Sequence, residues 1–310
     1  MAEDNNAVVI AALRRAPGYE DTPDTVEITR LGGLTNLVYR AAIPGKAPVI
    51  VRIPGAGTED YIDRRVELHN AHVAARAGVS ARVIWGDADS GVMISDSIEN
   101  TVTMTPENFK TRDGSAGRAG QVLRQLHDAP EPFEFRFELF AMIDDYLGIL
   151  SGKTVDLPEG YHRIVAAAQP IKALLNDKPT DLKPCHCDPL CENFLDDGTR
   201  MWVVDFEYSG MNDPLWDLGD VSVEAGFDAA QDAEMMLAYF GTTPTPAQQG
   251  RMVIYKAMCD LLWTLWGLIQ HADDNPAEDF WAYSVGRFER CKALMNSPDF
   301  ARHLDAVRTG

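Results

Sequence analysis

A chain of 310 residues with 45% hydrophobic content can bury a substantial core, and its length fits two domains or one bilobal unit. Its formal net charge of −19 excludes general affinity for nucleic acid or anionic membrane and suits a cationic substrate. Five cysteines, an odd number in a long chain, fit free thiols in a reducing cytosol, so the expected location is cytoplasmic. The start, MAEDNNAVVIAALRRAPG, carries acids before its short apolar run, unlike a signal peptide. No stretch reads as a membrane span of roughly 18 apolar residues.

Residues 3–15 read as a short amphipathic helix ended by Pro17-Gly18. Residues 25–30 (TVEITR) alternate like a strand, and Leu31-Gly32-Gly33-Leu34-Thr35-Asn36 follows as a tight turn. Residues 37–43 and 49–53 read as strands around Pro44-Gly45-Lys46. A glycine turn between strands can lay its amides over a phosphate chain. The second of these strands ends in Arg52, and fifteen residues later Glu67 stands on a helix expected over 61–77 and closed by Gly78. A basic strand residue paired with a helix carboxylate is how kinases aim a cation at nucleotide phosphates. An arginine can fork across two oxygens. Arg64 and Arg65 read as the solvated face of that helix. Residues 81–85 and 92–95 complete a small sheet, and 95–99 form a connector where an adenine edge can meet the backbone, with Ser95 and Ser97 beside it. Helices are then expected over 105–128, 137–150 and 160–175, and 213–308 reads as almost entirely helical.

Chemistry concentrates in residues 185–220. His186, Asp188 and Asn193 fit H-x-D-x-x-x-x-N, the spacing of a kinase catalytic loop. Twelve residues past Asn193, the apolar run Val203-Val204 delivers Asp205-Phe206, where such enzymes carry a metal-binding Asp-Phe pair. Phosphoryl transfer needs one carboxylate to receive the hydroxyl proton, and oxygen ligands to hold magnesium, a hard cation. Asp217 reads as a residue that steadies the loop by accepting hydrogen bonds. Cys185, Cys187 and Cys191 crowd the same loop, but their spacing is not that of zinc ligand pairs.

Residues 254–271 (IYKAMCDLLWTLWGLIQH) form a strongly apolar helix with Trp263 and Trp266 on one face. A second helix near 277–296 carries Phe280, Tyr283 and Arg287 at helical spacing. Aromatics so spaced are usually core; the alternative is a cage whose ring faces attract a quaternary ammonium ion. Tyr208 would join from the motif side, and Glu224 could balance the substrate's charge.

GGLTNLVYR, VIVRIPG, HCDPLCENF, VVDFEYSGMNDPLWDLGD and LLWTLWGLIQ together resemble, in order, segments of the choline/ethanolamine kinases, over about residues 30–295. The resemblance implies an α+β, bilobal protein-kinase-like fold: a small N-terminal antiparallel-sheet lobe (1–96) that binds nucleotide, and a larger, mainly helical lobe (97–310) for catalysis and substrate. It implies ATP and Mg as cofactors and the hydroxyl of a small cationic amino alcohol, choline, as acceptor. The catalytic base then falls on Asp188 within the loop opened by His186, and the metal ligands on Asn193 and Asp205, with Glu207 as a group for a second metal or one supporting these ligands. Phosphate and nucleotide contacts fall on Gly32, Gly33, Asn36 and Arg52 with its partner Glu67. The ammonium cage falls on Tyr208, Trp263, Trp266, Phe280 and Tyr283, with Glu224 as its acid. The loop reads H-C-D where relatives usually have H-N-D, and 225–245 aligns poorly. Ethanolamine, thiamine or an aminoglycoside stand as alternative acceptors, and a non-catalytic binding protein of the same fold is a rival of another class.

Overall fold

The computed structural model describes residues 2–32, 36–55 and 62–310. Helix α1 (Ala2–Arg15) precedes a five-stranded antiparallel sheet of β1 (Glu27–Arg30), β2 (Asn36–Ala42), β3 (Val49–Pro54), β4 (Val83–Asp87) and β5 (Val92–Asp96), in the order β1-β2-β3-β5-β4. Between β3 and β4 the chain forms α2 (Arg64–Arg76). Asp63 caps that helix, accepting from the amides of Arg65 and Val66 at 3.0 and 3.1 Å, and Gly78 follows its end at φ +76°.

The helix expected over 105–128 is two: after the short strand β6 (Val102–Thr103) come α3 (Pro106–Thr111) and α4 (Ser115–His127). Arg112, in an extended conformation, ends the first helix, and Gly114 stands at the start of the second at φ +71°, a left-handed conformation that glycine takes without steric cost. Helices α5 (Leu139–Ser151) and α6 (Tyr161–Asp177) follow. Two small sheets then build the loop region. Strand β7 (Lys183–Cys185) pairs with β10 (Gly210–Asn212), while β8 (Phe194–Asp196) lies between β6 and β9 (Met201–Val203). The β8–β9 hairpin turns after Asp196, through Asp197 and Gly198. The remainder is helical: α7 (Pro214–Ala225), α8 (Ala229–Phe240), α9 (Pro246–Ala272), α10 (Phe280–Met295) and α11 (Pro298–Thr309).

Two apolar clusters result. Val9 and Leu13 of α1 pack with Val49, Val51 and Ile94 of the sheet. A larger cluster gathers around α9 and takes in Ala71, Val73 and Ala74 of α2, so that helix faces away from its own sheet's core. By length and composition α9 could cross a membrane, contrary to the expectation from sequence, but 83% of its apolar window is buried inside the protein. It is a core helix. Asp213 and Pro214 start α7 in the favoured way, the Asp213 carboxylate accepting from the Leu215 amide at 3.0 Å. Gly219 lets α9 lie close, since a side chain there would stand 2.9 Å from the Met252 carbonyl oxygen.

Candidate active site

The segment from His186 to Asn193 leaves β7 and ends in a 3-10 turn, Cys191–Asn193, so that β7 and β8 hold its two ends. Its path is set by Asp217, fully buried in the first turn of α7. The two carboxylate oxygens accept from the His186 amide at 2.6 Å and the Cys187 amide at 2.9 Å. The Trp216 indole donates to the Cys187 carbonyl at 3.0 Å. Cys187 takes φ +67° and Asp205 φ +68°. A non-glycine residue is held there only when its surroundings over-determine it. The loop-steadying role expected of Asp217 therefore has its geometry.

Asn193 donates through Nδ2 to the Asp188 carbonyl at 3.1 Å, and its own carbonyl accepts from the Val204 amide at 2.9 Å. Those bonds set Asp205, one residue on, beside the end of the loop. The His186 ring is buried; Nε2 bonds the Val204 carbonyl at 2.9 Å, and the ring lies 5.2 Å from that of Phe206. It ties loop to strand.

Arg52, on β3, forms an ion pair with Glu67 of α2 and approaches Glu207 and Asp205 at 3.3 and 3.6 Å. The expected strand–helix pair is present. Arg64 is a correction: its side chain is 10% exposed, bonds Glu67 at 2.8 Å and faces inward, whereas Arg65 is solvated as expected. Asn36 reaches across to Glu207 with its amide nitrogen. Oxygens of Glu67, Asp205 and Glu207 lie within 4.8 Å of one another. Arg52 Nε and Nη2, Asp205 Oδ1 and Glu207 Oε2 are buried without a hydrogen-bond partner. Unsatisfied acceptors and donors gathered this closely are costly. A hard cation on the carboxylates and an anion on the guanidinium would satisfy them, so this donor set fits magnesium and phosphate.

The electrostatics agree. Burial, then the charges of Glu224 and Asp205, push the Asp188 carboxyl up to about 7, with Arg287 opposing. Burial and Asp205 push Glu207 up to about 8, and burial raises Asp205 although Arg52 pulls it down.

A cavity of about 540 Å³ opens between the sheet and this cluster. Gly32, Val38, Ile50 and Ser95 line it on the sheet side, and Asn193, Leu195 and Asp205 on the other. Its mostly apolar walls leading to a charged end suit a flat base followed by phosphates. Gly33 lies outside the described residues. On the connector, Ser97 also lines the cavity; its amide donates to the Pro48 carbonyl at 3.2 Å and its hydroxyl to Glu99 at 2.5 Å. Glu99 in turn takes both ends of the Arg40 guanidinium, at 3.0 and 2.8 Å.

The five aromatics expected to share a site do meet. Tyr208 stands edge-to-face on Trp263 (6.2 Å between centroids) and Trp263 on Trp266 (6.1 Å). Trp266 meets Phe280 (5.4 Å) and Tyr283 (5.9 Å). Tyr208, Trp266 and Tyr283 are half-buried, while Trp263 and Phe280 are buried behind them. Gly267 makes room for Tyr283 and Ser284 of α10. Glu224 bonds Arg287, whose guanidinium lies 4.8 Å from the Tyr283 ring centroid and 3.4 Å from Asp260. Sequence reasoning placed Arg287 on the right face but missed its grip on Glu224, and missed Asp260, one turn before Trp263. The thiols of Cys185, Cys187 and Cys191 are buried, and burial drives all three well above the ordinary thiol range.

A base-sized apolar cleft ending in a cation and clustered carboxylates, beside a loop holding one more carboxylate, defines a phosphotransferase. The model of the phosphotransferase enzyme family matches residues 27–248, and the chain belongs to that family. Within it the chain is a member of the choline/ethanolamine kinase family. A solved choline/ethanolamine kinase family protein from Mesorhizobium loti is 56% identical, with a TM-score of 0.91 over 99% of this chain and 100% of the other. The choline kinase LicA from Streptococcus pneumoniae is 28% identical (TM-score 0.72, covering 87% and 94%). A LicA structure with bound AMP is equally similar in sequence, at 28% (TM-score 0.69, covering 87% and 91%). Ethanolamine kinase 2 of Mus musculus is 29% identical over 86% of this chain and 76% of its own. The fold is protein-kinase-like, with a small antiparallel sheet region and a mostly helical one, and the enzyme transfers phosphate to an alcohol.

Proposed function

We propose that this enzyme phosphorylates choline from MgATP. The single observation behind the acceptor is the run of rings from Tyr208 through Trp263 and Trp266 to Tyr283, with Glu224 near enough to Asp188 to raise its affinity for a proton. Ring faces and a nearby acid hold a methylated ammonium group without needing an N–H to bond.

In this reading the cage residues hold the cationic head and leave the hydroxyl beside Asp188. Asp188 accepts the hydroxyl proton as the oxygen attacks the terminal phosphorus in line, while the bond from that phosphorus to the β,γ-bridging oxygen breaks and ADP leaves. Arg52, steadied by Glu67, bonds the phosphates, and Gly32 meets them on the cleft wall. Asn193, Asp205 and Glu207 would hold magnesium, which when bound offsets the charge developing on the phosphate oxygens. His186, through its bond to Val204, keeps loop and strand in register. The chain divides for these tasks into a nucleotide lobe, 1–96, and a substrate lobe, 97–310.

Ethanolamine is the second reading, favoured by the ethanolamine kinases among the relatives. The deciding experiment measures ADP release with magnesium over choline, ethanolamine, thiamine and several aminoglycosides. Choline should give the highest kcat/KM; a higher value for ethanolamine selects the second reading, and no turnover of any amine removes both. Trp266→Ala should raise the KM for choline about 2- to 30-fold with the nucleotide KM unchanged, the range expected for one lost cation–π contact of ~0.5–2 kcal/mol. An unchanged KM for choline would assign that ring to the core alone.

A further inference from the structure

One turn before Glu224, and so on the same face of α7, stands a second acid, Asp220. It is fully buried, and its two oxygens are unequally served. Oδ1 accepts from the thiol of Cys259 on α9 at 3.2 Å, whereas Oδ2 has no hydrogen-bond partner among the described residues. The guanidiniums of this region are engaged elsewhere. Arg287 is bound to Glu224 and lies 3.4 Å from Asp260, and Arg290 reaches the same Asp260 at 2.6 and 3.1 Å. One oxygen of Asp220, one of Glu224 and the Cys259 sulfur all lie within 4.8 Å of one another.

Such a trio offers ligand atoms, but a metal ion there would meet the Arg287 guanidinium already on Glu224. The carboxyl pair has a different solution. Two ionised carboxylates can only accept, and one of them sealed from water without a counter-charge is costly. One proton removes both difficulties. With the thiol donating to Oδ1, that oxygen is the carbonyl of a protonated carboxyl, and the proton belongs on Oδ2, the atom without a partner. Burial, then the charges of Glu224 and Asp188, raise the proton affinity of Asp220 well above the usual carboxylate range, with the thiol and Arg287 opposing. Of the two acids, Glu224 is the one bound to a guanidinium and so the one that carries the charge.

We propose that Asp220 is a positioning residue for the amino alcohol: a neutral carboxyl whose Oδ2–H donates to Glu224 and, together with Arg287, fixes that acid at the cage. A small rotation of the Glu224 carboxylate closes the bond. Ordering a glutamate before the substrate arrives spares binding the loss of its rotamer freedom. Asp220 thus acts through Glu224, and the inference rests on the reading of Glu224 as the acid of the acceptor site.

The test uses the full chain with magnesium and ATP, and choline and ethanolamine as acceptors in turn. Asp220→Leu, which removes the donor, should raise the KM of the better acceptor about 10-fold, the worth of one hydrogen bond to a charged group, with the ATP KM within about twofold. Asp220→Asn keeps an N–H for Glu224 and an oxygen for the thiol, so its amine KM should stay within about threefold of native. Val221→Ala, equally buried on α7, controls for lost stability: its amine KM should stay within about twofold of native. Should Asp220→Leu not fold, Asp220→Ala takes its place. Infrared spectroscopy gives a readout that needs no truncation: at about pH 8 the native protein should show the C=O stretch of a protonated carboxyl that Asp220→Asn lacks. The proposal is overturned if the truncated variant keeps its amine KM, if Asp220→Asn loses as much as the truncation, if Val221→Ala loses as much, or if native and Asp220→Asn give the same band. A Glu224→Gln arm distinguishes the two readings. An unchanged amine KM there removes Glu224 from the acceptor site, whereas a raised one beside an indifferent Asp220→Leu defeats the positioning role alone.

Discussion

The proposed proton acceptor, Asp188, has surroundings that suit that role at neutral pH. Burial and the charges of Glu224 and Asp205 bring its carboxyl up to about 7, so it is half-ionised where the enzyme would work and binds a proton more firmly than an exposed aspartate. Asp205 and Glu207 are raised as well, yet they face Arg52 and each other in a cluster better suited to a cation. Replacing Asp188 by Asn keeps the volume and removes the acceptor. The expected result is a fall in kcat of about 10²- to 10⁴-fold, the usual worth of a positioned base, with ADP affinity within about threefold of native by calorimetry. Activity near the native level would transfer the role of base to another group. Glu224 illustrates a different point at this scale: it arrives at the cage already bonded to Arg287, so the pocket's negative charge is smaller than its acids alone imply.

At the scale of elements, sequence patterns were most legible where local chemistry forces the outcome. The end of α2 before Gly78 and the start of the helical run at Asp213 follow from residues at those positions. What could not be read depends on partners far along the chain. β7 pairs with β10 across the whole motif region, and strands of three residues carry too little alternation to announce themselves. Arg64 looks solvated beside Arg65, and only the inward path of α2 turns it onto Glu67. The H-x-D-x-x-x-x-N and Asp-Phe spacings led to groups that do converge, whereas Asp260 had no local signal, being a single acid on an apolar helix. The glycine of Asp-Leu-Gly-Asp has its reason in the α7–α9 contact. Gly219→Ala should destabilise the protein by about 1–3 kcal/mol in urea unfolding, because the added carbon meets the backbone of Met252 and Lys256. Gly148→Ala, on the exposed side of α5 with open space around it, should instead stabilise by roughly 0.5–1 kcal/mol. Equal effects of the two would mean that the helices cross with more room than this packing allows.

At the scale of the whole molecule, the site is a concentration of buried acid in an already acidic protein, and that has a thermodynamic consequence. Glu207 holds its proton up to about 8 and Asp188 up to about 7, whereas in the unfolded chain both release theirs near pH 4. Between those limits the folded state binds more protons than the unfolded one. Stability contributed by these groups is therefore present below about pH 4 and lost as pH rises through about 7 to 8. At constant ionic strength the ligand-free protein should lose roughly 3–8 °C in Tm between pH 5.5 and pH 8, read by calorimetry or dye fluorescence. Glu207→Gln should flatten that slope, since the amide does not titrate. On the proposed reading magnesium would bind the ionised carboxylates, so millimolar magnesium should raise Tm more at pH 8 than at pH 5.5. Glu207→Gln and Asp205→Asn should each reduce that gain if their oxygens share the ion. A native Tm that climbs from pH 5.5 to pH 8, or a magnesium shift indifferent to both substitutions, would show that the three carboxylates of α2 and the post-β9 segment are stabilised by Arg52 and Arg64 alone and hold no cation.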